Sequence, residues 1–358
     1  MPQKTPAELG FYMPAEWHPH AATWLTWPKD PETWPGRVEQ VERTYLEIIA
    51  ALAPHETVNL LVDDDTTEHA VRGRCNFRGA ENVRFHQIPT VDSWIRDYGP
   101  NFLLSHNNRE SAFNDWIFNA WGDKYEALKQ DDAIPRLLEP ILKLPRFEPG
   151  IVLEGGSIEV DGNGCVLTTE QCLLNPNRNP QLSRGEIEQY VKDYLGVVKV
   201  LWLNEGIVGD DTDGHIDDIA RFVAPNVIVC AVEDDPEDAN YEILQDNLAR
   251  LQSMTDANDR PFEIVTLPMP GIVGGESTAT RDLDRLPASY ANFLIANDVV
   301  LLPVFGHPND ARAVETLQRV FRARRVVPIN CEPLVWGMGT IHCLTQQQPR
   351  ITTDFKNG

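Results

Sequence analysis

The amino-acid sequence predicts a mixed α+β fold, because short apolar, β-branched runs outnumber the stretches with helical periodicity and some of them form hairpins. Strands and helices alternate one for one in a doubly wound sheet, whereas this chain has several strands per helix. No long linker or low-complexity tract divides its 358 residues, so we expect a single domain spanning residues 1–358. Sub-repeats of about 60–70 residues would suit such a domain, but the internal similarity is too weak to prove them.

The predicted strands are apolar runs bounded by turn residues. They cover residues 57–62, 83–88, 151–160, 165–169, 197–203, 227–232, 262–267, 299–304, 326–329 and 340–345. Residues 161–164, Asp-Gly-Asn-Gly, lie between two of these runs and are typical of a tight hairpin turn.

Helical periodicity is found in fewer places. One predicted helix has an apolar face made of Val38, Val41, Tyr45, Ile48, Ile49 and Leu52. Another covers residues 309–322 with Asn309 as its N-cap, and two more cover residues 184–195 and 236–254.

The charge of the chain excludes some partners. Fifty-four acidic residues against thirty-one basic ones leave a formal net charge of −23. Proteins that bind nucleic acid or an anionic membrane surface use clustered Lys and Arg, so neither is an expected partner. The surplus carboxylates mainly favour solubility, and they would attract small cations.

The compartment is predicted from what the sequence lacks. The N-terminal residues have no apolar core of a secretory signal, and the longest apolar run is far shorter than the ~20 residues that span a bilayer. We therefore expect a cytoplasmic protein whose six cysteines are reduced. The oligomeric state stays open, and a homo-oligomer is compatible with the sequence.

Two segments place a carboxylate beside a rigid turn. In WIRDYGP, Trp94 would form an aromatic wall and Arg96 would hold Asp97, although a structural ion pair at a turn is the alternative. In EGGS, the glycines after Glu154 would let a ligand approach the backbone. The alternative there is a bulge with a solvated glutamate.

A third segment, GDDTDGHIDD, combines a histidine with several acids. On an extended segment His215 and Asp217 would lie on one face, where an imidazole and a carboxylate can act together in catalysis. A solvated acidic loop or a divalent-metal site are alternatives, but the EF-hand pattern fails because no Glu stands at its bidentate position.

The fourth segment, WGMGTIHCLTQQQP, carries Cys343 after a glycine-rich bend that would give a substrate room to reach the sulfur. On a strand His342 would face away from Cys343, which favours a structural role for His342. The four segments together provide a thiol, a base and the carboxylates Asp97, Glu154 and Asp217. A guanidinium substrate suits this set, since its N–H donors pair with carboxylates and its charge would favour the thiolate.

The segments WIRDYGP, EGGSIEVDG, DDTDGHIDDIARF and GTIHCLTQQQP, in this order, resemble the agmatine deiminase family of the guanidine-modifying superfamily. The block MPAEWHPHAATWLTWP is similar to the opening of that family, which also includes bacterial enzymes called peptidylarginine deiminases. The resemblance implies an α/β propeller of five ββαβ modules around a pseudo-fivefold axis, with the site at its centre.

The resemblance also implies roles for individual residues. Cys343 would be the nucleophile, His215 the acid and base, and Glu154 the group that orients or charges the histidine. Asp97 and Asp217 would bind the guanidinium. From the residue pattern alone, Trp94 as an aromatic wall and Asp211 as a nearby acid are also expected to bind the substrate. Two positions depart from the family: Met338 stands where many members have glycine and could narrow the cavity, and Asp213 stands where many have Asn and adds negative charge.

The expected reaction is hydrolytic deimination by covalent cysteine catalysis, converting agmatine and water to N-carbamoylputrescine and ammonia in putrescine biosynthesis. No metal or organic cofactor is required. Deimination of arginine or peptidyl-arginine to citrulline is the alternative, and it would need a cation or backbone donors near the α-carbon. More remote alternatives are a metal-dependent hydrolase with His215, Asp211, Asp213 and Asp217 as ligands, and a non-catalytic binder of polyamines or guanidines.

Overall fold

A computed structural model describes residues 4–271, 273–274 and 285–352. Within these ranges the strands form five separate sheets with helices between them, so the predicted α+β fold is confirmed.

Most strands are short. They are β1 (Phe11–Tyr12), β2 (His20–Thr26), β3 (Thr57–Val62), β4 (Val83–Gln87), β5 (Asn101–Ser105), β6 (Ser111–Asn114), β7 (Arg146–Phe147), β8 (Glu159–Val160), β9 (Cys165–Thr169), β10 (Lys199–Leu203), β11 (Ala220–Ala224), β12 (Val227–Val232), β13 (Glu263–Pro268), β14 (Leu294–Ile295), β15 (Val299–Val304), β16 (Arg325–Asn330) and β17 (Thr345–Pro349).

The α-helices are α1 (Val38–Leu52), α2 (Asp65–Arg74), α3 (Ile95–Tyr98), α4 (Ala120–Asp123), α5 (Ile134–Leu142), α6 (Glu170–Leu173), α7 (Arg184–Leu195), α8 (Tyr241–Ser253), α9 (Asn309–Val320) and α10 (Glu332–Val335). Short 3-10 turns cover Ala7–Leu9, Ala80–Asn82, Glu126–Ala133, Gly155–Ser157 and Ile216–Asp218.

The five sheets share one pattern of strand pairing. In three of them an antiparallel pair is followed by a strand parallel to its second member, in the orders β8-β9-β10, β11-β12-β13 and β14-β15-β16. The sheet β1-β5-β6-β7 adds an edge strand to this pattern. The sheet β17-β2-β3-β4 joins both ends of the chain, since β17 runs antiparallel to β2 with Thr345 opposite Leu25.

A helix connects the parallel strands of each sheet, as a parallel pair requires a crossover. The predicted apolar face of α1 is confirmed, because Val41, Tyr45, Ile48, Ile49 and Leu52 are buried. This helix packs against β3 of its own sheet and against β15 and β16 of another. In the same way α8 packs against β12 and β10, and α9 packs against β16 and β13.

Several predicted elements have the predicted bounds. They are the strands at 57–62, 165–169, 227–232 and 299–304 and the helix at 184–195, which begins with a capping box between Ser183 and Glu186. Residues 161–164 join the antiparallel strands β8 and β9, so the predicted hairpin turn is also confirmed.

Other predicted elements are wrong at places where local hydrogen bonds compete with the strand. In the run 151–160 only Glu159–Val160 is a strand, because Gly155–Ser157 form a 3-10 turn closed by the Ser157 hydroxyl on the Glu154 carbonyl at 2.6 Å. In the run 340–345, residues 341–344 form turns and β17 begins only at Thr345. The Thr345 hydroxyl donates to the Ile341 carbonyl at 2.9 Å and stabilises that turn.

The predicted start of one helix and the predicted N-cap of another are wrong. The helix predicted at 236–254 begins at Tyr241, after turns in the acidic segment before it. Asn309 is not the N-cap of α9, which follows Pro308, because its side chain donates to the Met269 carbonyl at 2.8 Å. Among the described ranges no helix is both long enough and apolar enough to cross a membrane.

The buried carboxylate of Glu56 links three segments of the fold. It accepts hydrogen bonds from the Thr23 hydroxyl and His20 Nδ1 on β2 and, at 3.0 Å, from the backbone N–H of Asn297 before β15. Burial alone would raise the pKa of Glu56, but His20 and the hydrogen bonds hold it below its ordinary value. The carboxylate therefore stays charged and connects two sheets.

We expect Glu56→Ala to lower the free energy of unfolding by about 3–5 kcal/mol, because it leaves His20 and two buried donors without their partner. Urea denaturation would measure the loss. The control is Glu47→Ala, which removes an exposed glutamate of α1 and should change stability by less than about 0.5 kcal/mol. Equal effects of the two substitutions would contradict a structural role for the Glu56 contacts.

Candidate functional site

A cavity of about 810 Å³ opens beside the four polar segments singled out in the sequence. Cys343, Asp97, Trp94 and Asp211 line it. The other three predicted site residues, Glu154, His215 and Asp217, are buried and do not line the cavity. The predicted residues therefore form two groups, one on the cavity wall and one buried behind it. The two groups are in contact through Asp217 and Cys343 and through His215 and Asp97.

Cys343 lies in the turn at 341–344 and not on a strand. Its carbonyl accepts the backbone N–H of Arg96 at 3.2 Å, which fixes the turn against the WIRDYGP segment. Gly339 allows this packing, since a Cβ there would lie 2.6 Å from the Trp94 ring and 3.1 Å from the Cys343 Cβ. Cys343 as a whole is 7% exposed and lines the cavity.

Asn292 holds the thiol from the other side, with Nδ2 3.2 Å from Sγ. The amide oxygen of Asn292 accepts the Thr340 hydroxyl at 2.8 Å and the backbone N–H of His342 at 3.0 Å. One side chain therefore fixes both the turn and the sulfur that it carries. Burial, followed by the nearby carboxylates of Asp217, Asp218 and Asp97, raises the pKa of the Cys343 thiol well above its ordinary value.

Asp97 lies on the short helix α3 with each carboxylate oxygen fixed by one donor. Trp121 Nε1 donates to Oδ2 at 2.9 Å, and the backbone N–H of Gly156 donates to Oδ1 at 2.9 Å. Burial and the negative charges of Asp217 and Glu154 nevertheless raise the pKa of Asp97 well above its usual range. A cation beside this carboxylate would lower the pKa again.

His215 comes directly before the 3-10 turn Ile216–Asp218, so the extended segment assumed for His215 and Asp217 is wrong. Asp210 accepts the backbone N–H groups of His215 and Gly214 at 3.0 and 2.9 Å and holds the loop that carries the imidazole. Neither ring nitrogen has a hydrogen-bond partner among the described residues, and Nδ1 lies 3.8 Å from Asp97 Oδ1. Burial lowers the pKa of His215 to about 3, which leaves a neutral imidazole at neutral pH.

Glu154 is paired with Arg178, whose Nε donates to Oε1 at 2.6 Å, while Oε2 has no hydrogen-bond partner within the described ranges. Arg178 also contacts Asp213 at 2.8 Å, and Lys124 contacts Asp213 at 2.9 Å. The extra negative charge expected from Asp213 is therefore offset by two cations. The φ of Asp213 is 66°, a left-handed conformation that Asp and Asn adopt more readily than most residues.

Asp217 connects the buried layer to the thiol. Its Oδ2 lies 2.7 Å from His342 Nδ1 and 3.8 Å from Cys343 Sγ, and its Oδ1 has no hydrogen-bond partner in the described part of the chain. Burial alone would raise the pKa of Asp217, but the contact with His342 outweighs that effect and lowers it.

Gly156 is the point at which these groups converge. A Cβ on this residue would lie 2.6 Å from His215 Nδ1, 2.8 Å from Asp97 Oδ1 and 3.2 Å from Asp217 Oδ2. Glycine is therefore required for the imidazole and the two carboxylates to meet. The sequence pattern EGG indicated such an approach but not which groups would make it.

Trp94 and Asp211 lie on the cavity wall as predicted, and both have structural partners. Trp94 Nε1 donates to Asp92 Oδ2 at 3.0 Å. Asp211 accepts the hydroxyl of Tyr125 and lies 3.7 Å from Lys124 Nζ. A substrate-binding role for these two residues stays a prediction.

Sequence reasoning missed Asn292, Trp121 and Arg178 as members of the site. Asn292 lies in the stretch SYANFL, and Trp121 and Arg178 in WGDKY and NPNRNP, where no pattern indicates that chemistry. Their partners are distant in sequence, so only the tertiary fold brings them together.

The metal hypothesis named Asp211, Asp213, His215 and Asp217, and these residues do not form one cluster of ligand atoms. Lys124 holds Asp211 and Asp213, and His342 holds Asp217. The group that does converge in the described ranges is Glu154, Cys172 and His215, whose ligand atoms lie within 4.8 Å of one another. Arg178 already neutralises Glu154 in that group, which weakens it as a cation site.

A thiol, a neutral imidazole and buried carboxylates beside one cavity are the groups typical of a cysteine-dependent hydrolase acting on a cation. Residues 12–349 match the family described as Porphyromonas-type peptidyl-arginine deiminase, and the chain belongs to that family. The family assignment made from the motifs is therefore confirmed.

Individual relatives are similar over nearly the whole chain. An agmatine deiminase of Ectopseudomonas mendocina is 40% identical over 362 residues, which cover 96% of this chain and 97% of that protein. A solved structure of the agmatine deiminase of Enterococcus faecalis has a TM-score of 0.91 and 36% identity, covering 98% and 99% of the two chains. A cysteine-to-serine variant of C. jejuni agmatine deiminase with substrate bound has a TM-score of 0.85 and 28% identity, covering 96% and 97%.

Gly156→Ala should reduce turnover by roughly 10²-fold, because the new methyl group forces the imidazole and the carboxylates apart. Steady-state ammonia release would measure the loss, and circular dichroism would show whether the variant is folded. The matched control is Gly185→Ala in α7, where a Cβ meets nothing within 4 Å. Full activity in the Gly156 variant would contradict the convergence of these groups in the working enzyme.

Proposed function

We propose that this protein hydrolyses agmatine to N-carbamoylputrescine and ammonia, in putrescine biosynthesis. The observation that carries the proposal is the convergence of Asp97, Asp217 and His215 around Gly156, next to the thiol of Cys343. The family membership and the agmatine deiminases among the relatives support the same reaction.

The electrostatics of the site favour a planar cation as substrate. Asp97 and Asp217 are both buried. Asp217 Oδ1 has no hydrogen-bond partner among the described residues and could accept a guanidinium N–H group. The pKa of Asp97 is raised, and a guanidinium beside it would stabilise the charged carboxylate. Bidentate contact between a guanidinium and a carboxylate is among the strongest pairings available to these groups. The same positive charge would lower the pKa of the Cys343 thiol, so substrate binding itself generates the nucleophile.

In the first half of the proposed reaction Cys343 Sγ attacks the central guanidinium carbon. The thiol proton passes to the neutral imidazole of His215, and the imidazolium then gives it to the departing nitrogen, which leaves as ammonia. The product of this half-reaction is a thiouronium bound to Cys343. Covalent catalysis divides the hydrolysis of a resonance-stabilised cation into two easier steps.

In the second half His215 takes a proton from water, which attacks the thiouronium carbon. Collapse of the tetrahedral intermediate breaks the C–S bond and releases N-carbamoylputrescine as its hydroxyl proton passes to solvent. The imidazolium of His215 then returns its proton to the Cys343 thiolate. A carboxylate oxygen of Glu154 lies within 4.8 Å of a ring nitrogen of His215. We propose that Glu154, whose Oε2 has no hydrogen-bond partner among the described residues, orients the imidazole in both halves. No step requires a metal or an organic cofactor.

Agmatine fits the cavity better than an arginine with a free α-carboxylate. The cavity lining includes the acids Asp30, Glu32, Glu126 and Asp211 in addition to Asp97 and the buried Asp92. The two lysines of the lining are paired with acids, Lys29 with Asp63 and Lys124 with Asp213. The amine tail of agmatine would meet attraction there, whereas a carboxylate would meet repulsion.

We also propose that the five sheets form the modules of one α/β propeller, in a single domain. Their shared pairing pattern supports this arrangement, as does the packing of α1, α8 and α9 each against a strand of the preceding sheet. The site residues lie on connections from several of these modules, as expected for a site at a central axis.

The substrate assignment predicts that kcat/KM for agmatine exceeds that for free arginine and for a blocked arginine peptide by roughly 10²-fold or more, because the acids of the cavity lining favour an amine tail. Ammonia release from the three substrates under identical conditions measures the ratio. Comparable or faster turnover of the peptide would overturn agmatine in favour of peptidylarginine deimination.

The covalent step predicts that Cys343→Ser lowers turnover by about 10³-fold or more, whereas Cys75→Ser, at a half-buried thiol outside the cavity, does not. Intact-protein mass spectrometry after quenching should find the thiouronium adduct on wild-type protein and map it to Cys343. EDTA should leave activity unchanged. Loss of activity with chelator, together with activity in the Cys343 variant, would favour the metal-dependent alternative.

Met338 lines the cavity with a φ of 75°, a left-handed conformation that costs a non-glycine residue about 1–2 kcal/mol. Met338→Gly should relieve this strain and widen the cavity, which raises kcat/KM for the blocked arginine peptide relative to agmatine by about tenfold. Met338→Ala removes the bulk but keeps the strain, so it should broaden specificity without adding stability. Unchanged specificity in both variants would exclude Met338 from the tail pocket.

A further inference from the structure

His342, the residue before the thiol, makes contacts that the strand prediction did not anticipate. Its ring is 1% exposed and lies between two carboxylates. Nδ1 is 2.7 Å from Asp217 Oδ2, and Nε2 is 2.8 Å from Glu16 Oε2. Because residues 341–344 form a turn, His342 and Cys343 can both reach Asp217, which opposite faces of a strand would not allow.

The two contacts define the charge of the ring. Each ring nitrogen of His342 lies within hydrogen-bond distance of a carboxylate oxygen, and Glu16 also pairs with Arg221 at 2.8 Å, which favours the ionised form of Glu16. A ring that donates a hydrogen bond from both nitrogens is an imidazolium. The contacts with two carboxylates therefore favour a positively charged ring against Asp217.

The contact also constrains how Asp217 can be used. Oδ2 is held by His342 and lies 3.8 Å from Cys343 Sγ, whereas Oδ1 has no hydrogen-bond partner among the described residues. With Oδ2 fixed, the carboxylate cannot rotate away, and Oδ1 is the oxygen that stays available to a substrate N–H group. The far end of the ring is anchored in turn, since Glu16 also pairs with Arg221 at 2.8 Å.

The charge of the ring matters for the thiol as well. The charged groups that face Cys343 are the carboxylates of Asp97, Asp217 and Asp218, and all three disfavour a thiolate. Asn292 contacts the sulfur but is neutral. His342 provides a positive charge hydrogen-bonded to a carboxylate that lies 3.8 Å from the sulfur.

We propose that His342 is a positioning residue for deimination, whose imidazolium bridges Glu16 and Asp217, fixes the substrate-binding carboxylate and offsets negative charge beside the Cys343 thiol. This inference rests on the proposed roles of Asp217 and Cys343. A purely structural His342 would only connect the N-terminal segment to the turn before β17, and it would not influence substrate affinity or the thiol.

The test compares His342→Gln with wild-type protein in two assays. Glutamine can still donate a hydrogen bond but carries no charge, so KM for agmatine should rise about tenfold, with a further loss in His342→Ala. In substrate-free protein, the pH midpoint for alkylation of Cys343 by iodoacetamide, followed by mass spectrometry, should move about one pH unit upward.

The matched control is His20→Gln. His20 is a histidine of equal burial that also contacts a glutamate, with Nδ1 3.2 Å from Glu56. Its Nε2 contacts the backbone carbonyl of Glu16 at 2.7 Å and leaves the Glu16 carboxylate to His342. The His20→Gln variant should lose thermal stability like the His342→Gln variant, but it should keep the wild-type KM for agmatine and the wild-type pH midpoint for alkylation of Cys343. If His342→Gln likewise lost stability alone, the positioning role would be overturned.

A second variant covers the case in which His342→Gln does not fold. Glu16→Gln leaves the contact between His342 and Asp217 intact but weakens the charge of the ring, so it should shift KM and the midpoint in the same direction by a smaller factor. No shift in either assay would overturn the proposal. The alkylation assay needs no substrate, so it decides the matter even if wild-type protein fails to turn over agmatine, a result that would overturn only the proposed function.

Discussion

Buried negative charge is the constraint on which the rest of this structure depends. Asp97, Glu154, Asp217 and Asp218 are all inaccessible to solvent or nearly so, and a buried carboxylate is costly unless a cation or donors compensate it. The fold supplies such partners for two of them, Arg178 for Glu154 and His342 for Asp217. Asp97 has only neutral donors among the described residues, from Trp121 and Gly156, so no cation compensates its negative charge. Binding a cation would stabilise these uncompensated carboxylates. The raised pKa values of Asp97 and of the Cys343 thiol both result from burial and from the surplus of negative charge around them.

The site is built on connections and not on strands. Asp97 lies on a four-residue helix, Glu154 and His215 each precede a 3-10 turn, and Cys343 lies in a turn that leads into β17. Tight turns let backbone N–H groups and side chains approach more closely than a pleated strand does, and Gly156 and Gly339 mark two such approaches. The strands provide the rigid base, and the functional groups project from the loops between them, as in many enzymes.

This arrangement explains what could be predicted from the sequence. Polar residues placed where a strand or loop should be apolar singled out Cys343, His215, Asp97, Glu154 and Asp217. The structure brings these residues together, and their roles stay predictions. The same reasoning placed His215 with Asp217, and His342 with Cys343, on extended segments, since a short apolar run does not reveal a turn closed by side chains such as Thr345. Asn292 and Arg178 could not be found, because their partners lie 51 and 24 residues away and the contacts exist only in the folded chain. Helix α1 and several buried strands could be predicted from their apolar pattern, because the burial of one face determines that pattern.

The ends of the chain are joined at the same place as the chemistry. β17 follows the turn that carries Cys343 and pairs with β2 near the N-terminus, while Glu16 reaches His342 from the segment before β2. Residues from at least six separate segments, at positions 16, 97, 154, 215, 292 and 343, must therefore be in place before the thiol has its environment. A contact set of this kind has a high loop-closure cost, and it forms only when both ends have docked. Because Glu16 and His342 are 326 residues apart, we expect the surroundings of Cys343 to depend on the docking of both ends of the chain.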